Sequence, residues 1–223
     1  MKRRALKNWL RQLLLPGAAL LLLLAGFSPV AQAAPSCLSD VGGPNDPTGD
    51  GQGDITRLCT DNANLPDSFD IYMSWDETAF SGKNTGDACA LFDTDGDPGG
   101  NINYAICISV GGKPASLSAG PLIYRCNNSS PDRCSSPTPI TPSGTTCSAQ
   151  VKDEDPFPTG DDSPDDTVGV CTIDPDDIPP GAVRTNLCSF PSINPNSDPK
   201  DCVGIVGGGF ITIENVADPD DGT

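Results

Sequence analysis

The chain has no histidine. A Ser-His-Asp or Cys-His nucleophile is therefore excluded. Positive charge is nearly as scarce, with 13 Lys and Arg against 30 Asp and Glu, and five of the 13 lie within the first 11 residues. Without the leader described below, 8 basic residues face 30 acidic ones, a net charge of −22. Phosphate binding needs the opposite sign, so nucleic acid is excluded as a partner and an anionic membrane surface is disfavoured. Aromatic residues make up 5 % of the chain, and Trp75 is the one tryptophan after the leader. This composition implies a thin core and offers few flat platforms for sugars. Beyond residue 33 there is no amphipathic helical period, no glycine-rich phosphate cradle between a strand and a helix, and no apolar run long enough to span a bilayer.

What the chain does have begins with an export signal over residues 1–33. Lys2, Arg3, Arg4, Lys7 and Arg11 precede an apolar run from Leu13 to Phe27, and Ala31-Gln32-Ala33 is a small-residue cleavage site. Cleavage there leaves no membrane insertion and directs the product to the periplasm, the cell surface or the medium. All ten cysteines follow: Cys37, Cys59, Cys89, Cys107, Cys126, Cys134, Cys147, Cys171, Cys188 and Cys202. An even number behind a leader points to disulfides, and without histidine or a Cys-x-x-Cys pair a zinc site is the poorer reading. Neighbours in sequence form the simplest pairing set, Cys37–Cys59, Cys89–Cys107, Cys126–Cys134, Cys147–Cys171 and Cys188–Cys202, although spacing alone does not fix connectivity.

Short apolar runs bounded by Gly, Pro, Asn and Asp predict strands at Ile55–Thr60, Phe69–Trp75, Ala88–Phe92, Tyr104–Val110, Pro121–Cys126, Thr167–Ile173 and Gly209–Asn215. Alternation in Ile71-Tyr72-Met73-Ser74-Trp75 and Ala105-Ile106-Cys107-Ile108 predicts one buried and one wet face. The expected fold is all-β, a disulfide-bonded β-sandwich or jelly-roll-like module over residues 34–206 with long acidic loops. Residues 127–144 read as a surface loop clasped by Cys126 and Cys134, and residues 152–164 as an exposed acidic one. Residues 207–223 read as a terminal strand or the start of a following repeat.

One local pattern carries a chemical mechanism. Asp93-Thr94-Asp95-Gly96-Asp97-Pro98-Gly99-Gly100-Asn101 places carboxylates at alternate positions, which lets hard oxygen ligands converge on Ca²⁺. Counted from Asp93, an EF-hand requires glycine at the sixth position and glutamate at the twelfth. Pro98 and Tyr104 stand there, and a strand follows in place of a helix. An acidic turn without an ion is the alternative, since Asp and Gly are the usual turn formers. The run from Asp46 to Asp54 is a weaker pattern of the same kind and reads as a simple loop.

The aspartate run resembles the calcium loops of thrombospondin type 3 repeats and integrin propellers, which implies Asp93, Asp95, Asp97 and Asn101 as the ligands of a structural Ca²⁺. In order along the chain, Gly53-Asp54-Ile55-Thr56, Ala88-Cys89-Ala90-Leu91-Phe92-Asp93, Cys188-Ser189-Phe190-Pro191-Ser192 and Asn196-Ser197-Asp198-Pro199 resemble the N-terminal module of large bacterial surface proteins. Ile211-Thr212-Ile213-Glu214-Asn215 resembles the opening of the prealbumin-like repeats that follow such modules. These likenesses imply a non-catalytic structural or adhesion module, with a surface protein or glycan as partner. A calcium-dependent carbohydrate-binding module, with Trp75 or Tyr104 as the stacking surface, is the alternative. A glycoside-active enzyme using paired carboxylates is a second.

Overall fold

The computed structural model describes residues 35–40, 53–96, 99–152, 166–180, 183–204 and 211–213. The leader, Asp97 and most of the acidic stretch after Lys152 lie outside the described residues. Two antiparallel sheets face each other. In the first, β1 (Ser36–Ser39), β2 (Ile55–Asp61), β3 (Phe69–Trp75), β9 (Asp166–Ile173) and β8 (Thr146–Lys152) lie side by side in that order. The second runs β11 (Asp201–Cys202), β10 (Val183–Ser189), β4 (Phe80–Asp93), β5 (Tyr104–Gly112), β6 (Ser116–Arg125) and β7 (Thr138–Ile140). Strand β12 (Ile211–Ile213) pairs with the free half of β10, so its three residues belong to the same sheet.

Alternation builds the space between the sheets. Phe69, Ile71, Met73 and Trp75 of β3 point inward and are fully buried. Ala88, Ala90 and Phe92 of β4, with Ile106, Ile108 and Val110 of β5, answer from the other side. Phe69 meets Phe92 edge to face, with ring centroids 6.3 Å apart. The sheets approach closely at Gly169, where a β-carbon would lie 2.4 Å from Ile108 Cδ1 and 3.3 Å from the Trp75 ring. Only glycine leaves room there.

The expected wet face of β5 is not wet. Ala105 and Cys107 are as buried as Ile106 and Ile108, because a second cluster covers the outer face of the larger sheet. It comprises Cys89, Leu91, Ile102, Ala105, Cys107, Cys126, Cys134, Cys188 and Phe190, roofed by the segments around 126–137 and 190–203. The stretch after Cys126 is thus more than a surface loop: it supplies β7 and a fully buried Cys134. Arg133 fastens the two roof segments together by pairing with Asp132 and with Asp198.

The five disulfides are Cys37–Cys59, Cys89–Cys107, Cys126–Cys134, Cys147–Cys171 and Cys188–Cys202. Four of them join directly opposed residues of neighbouring strands. Since Cys188 also stands opposite Cys89, the residues Cys202, Cys188, Cys89 and Cys107 form one row across β11, β10, β4 and β5. Bridges closing loops of this length restrain the unfolded chain by about 3 kcal/mol each on a chain-entropy basis. They supply what a core poor in aromatics does not. This chemistry belongs to an oxidising environment.

Candidate functional site

The aspartate loop leaves β4 at Asp93, whose side chain is fully buried. Its Oδ1 accepts the backbone N–H of Asp95 at 3.3 Å and of Gly96 at 2.8 Å, while its Oδ2 has no hydrogen-bond partner. Gly96 takes a φ of +65°, the left-handed conformation this tight turn needs. Burial pushes the Asp93 carboxyl above its ordinary range, the amides of Gly96 and Asp95 pull it down, and contact with the Asp95 carboxyl pushes it up again; the net direction is up.

Asp95 is exposed and is held by amides. Its Oδ2 accepts from Asn103 Nδ2 at 2.9 Å and Asn128 Nδ2 at 3.0 Å. Asn103 also accepts the Thr94 N–H at 2.6 Å through Oδ1, so one asparagine holds two successive residues where the loop leaves β4. The structure therefore brings Asp93 and Asp95 together and leaves Asn101 half-buried beside them in sequence; Asp97 lies outside the described residues. Asn103 and Asn128 are the partners that spacing did not reveal. The sign available in sequence was a second asparagine just before β5.

A second acidic cluster forms where the two sheets meet at β2 and β11. One oxygen from each of Asp40, Asp54 and Asp201 lies within 4.8 Å of the others. Asp54 is fully buried and Asp40 nearly so. The backbone fixes the arrangement: the Asp40 N–H donates to the Thr56 carbonyl at 2.8 Å, and Asp201 Oδ2 accepts the Ile55 N–H at 3.1 Å. Burial, with the charges of Asp40 and Asp54, pushes the Asp201 carboxyl up to about 7 against the opposing pull of the Ile55 and Cys202 amides. Asp54 ends the run read in sequence as a simple loop. Its partner Asp201 comes from β11, near the other end of the chain, which no local pattern can show.

The aromatic candidates separate. Trp75 is fully buried between the sheets and presents no face to a ligand, which removes it as a stacking surface. Tyr104 stays half-buried at the sandwich end, where the Arg125 guanidinium lies 5.5 Å above its ring and donates to its hydroxyl at 3.0 Å. Across from it, Asp177 accepts from Ser143 N–H and Oγ–H, both at 2.8 Å, and from Thr145 N–H at 3.1 Å. Burial pushes the Asp177 carboxyl up, but the hydrogen bonds from Thr145 and Ser143 outweigh it and hold the group well below the usual range. No helix of the described residues is long and apolar enough to cross a membrane. Comparisons with family models, curated proteins and solved structures find no match.

Proposed function

We propose that this chain is a non-catalytic structural or adhesion module of an exported, cell-surface protein, of the kind that precedes prealbumin-like repeats. The single observation that carries the reading is the use of cysteine. Every cysteine is bridged, and the bridges fasten strands and roof segments in place of a large aromatic core. Catalysis has little support in the same residues. The chain lacks histidine, and the strongly shifted Asp177 is saturated by the backbone it anchors.

Structural Ca²⁺ at the aspartate loop is part of the proposal. The donor set is entirely oxygen, which suits a hard cation, and Asp93 holds a buried oxygen without a hydrogen bond. An ion there would offset the crowding of the Asp93 and Asp95 carboxylates. The residues that would hold it are Asp93, Asp95, Asp97 and Asn101.

The test uses the oxidised, secreted protein. Intact mass after alkylation without reductant should be unchanged, and substantial labelling would sink the structural reading. Adding CaCl₂ should raise the melting temperature more than NaCl of equal ionic strength, and Asp95→Ala should abolish the difference. A full calcium response in that variant would remove the ion from the loop.

A further inference from the structure

Tyr104, Arg125 and Thr138 stand in one row across β5, β6 and β7, because Tyr104 pairs with Arg125 and Arg125 with Thr138. Ile140, two residues along β7, shares their face. The segment after β9 rises opposite this row and brings Asp176 and Pro179 over it, leaving a cleft of about 430 Å³. That volume is within the range of small-molecule sites.

Both walls are fixed in advance. Arg125 is held on the Tyr104 ring, and the facing segment is pinned by Asp177 on Ser143 and Thr145 and by the buried Ile178. The aspartate loop is separate from the cleft. Phe92 and Tyr104 pack toward the inner core, whereas Leu91 belongs to the outer cluster, so alternation along β4 sends Asp93 to the opposite face of the sheet.

We propose that this cleft binds a neutral carbohydrate. Its chemistry is mixed: one guanidinium and one phenol on one wall, the carboxylates of Asp176 and Asp177 on the other, a hydroxyl at Thr138, and apolar surface from Ile140 and Pro179. Asp177 is already taken up by Ser143 and Thr145, which leaves Asp176 as the carboxylate that meets a ligand. A cationic ligand meets Arg125. An anionic ligand meets Asp176 and a protein of strongly negative charge. A sugar hydroxyl both donates and accepts, so it satisfies the carboxylate and the guanidinium at once, while its C–H face lies on Ile140 and Pro179. Because Tyr104 Oη accepts from Arg125, its own proton is directed to an acceptor elsewhere. The site needs no metal, which distinguishes it from the calcium-dependent glycan reading.

The experiment is a printed array of neutral and acidic glycans probed with the full oxidised chain in EDTA. The best neutral disaccharide is then titrated by calorimetry. Retention of neutral glycans is expected, with at least tenfold weaker binding in Asp176→Asn and in Arg125→Gln. Asp176→Asn should melt with the parent, so its loss of binding cannot be a loss of fold. Failure to retain any neutral glycan overturns the proposal, as does binding that both variants leave intact. A preference for acidic glycans overturns it too, and so does competition by free amino acids, which as zwitterions would span the same two charges. Calcium dependence is read separately by melting, so either proposal can fail without the other.

Discussion

Asp177 shows a carboxylate used as a fastening. It gathers the N–H groups of Ser143, Gly144 and Thr145, which lead into β8, and ties them to the segment after β9. Asp177→Ala leaves the buried Thr145 N–H unpaired, while Ser143 and Gly144 are exposed to water, and should cost about 1–3 kcal/mol, read as a lower urea midpoint. A midpoint equal to the parent's would mean water replaces the carboxylate fully. Asp201 has the opposite sign. Its folded carboxyl titrates near 7 against an ordinary 3.8, so between those values the folded protein binds more protons than the unfolded chain. Its contribution is favourable at acid pH and is lost as pH rises through that window. Asp201→Asn keeps an acceptor for the Ile55 N–H and carries no charge. It should be more stable than the parent at pH 8, on the order of 2 kcal/mol after allowing for solvent screening, and should flatten the fall between pH 4 and 7. Parallel pH profiles for the two proteins would refute this.

Strands were legible where they are buried on a face by strict alternation. β3 is predicted and observed over the same residues, Phe69–Trp75, because its inner positions are all large and apolar. β4 is predicted only over Ala88–Phe92 but runs from Phe80, since the polar half, Ser81 to Thr85, gives no hydrophobic signal and continues the hairpin with β5 through a register shift. β8 and β10 were missed for a related reason. Thr146–Lys152 is a half-exposed edge strand, and Val183–Ser189 is interrupted by Asn186, whose buried Oδ1 instead receives the Leu187 and Gly204 amides. Of the aspartate loop, the turn could be read from composition. Its partners could not, because Asn128 approaches across 33 residues. Glycine in β9 supplies the test of sheet packing. Gly169→Ala forces Ile108 and then Trp75 to give way and should destabilise by about 1–3 kcal/mol, whereas Gly82→Ala, with nothing within 4 Å, should leave the sheet contact intact and show only the strain of its φ of +69°. Equal effects of crowding at both positions on the Trp75 fluorescence spectrum would contradict the packing argument.

The two cores give the molecule an uneven dependence on its bridges. Cys37 is exposed on the edge strand β1, so Cys37–Cys59 is open to a reductant, whereas Cys89, Cys107 and Cys188 are sealed beneath the roof of the larger sheet. Thiol–disulfide exchange requires access to a sulfur, so accessibility orders the reactions. Mild phosphine treatment of the native protein, quenched by alkylation and mapped by peptide mass, should label Cys37 and Cys59 first. Loss of that bridge frees β1 from one strand and leaves both cores in place. In the row formed by Cys202, Cys188, Cys89 and Cys107, Cys202 is half-buried, but the fully buried Cys89–Cys107 bridge should be reduced only with global unfolding, when the segments held by Arg133 and Phe190 lift away. Two steps are therefore expected: early labelling of Cys37 and Cys59 without loss of the near-ultraviolet signal of buried Trp75, then labelling of Cys89 and Cys107 as that signal collapses. If Cys89 and Cys107 were labelled before Cys37 while the Trp75 signal persisted, the roof would not be the barrier, and the second core would have no part in holding the fold.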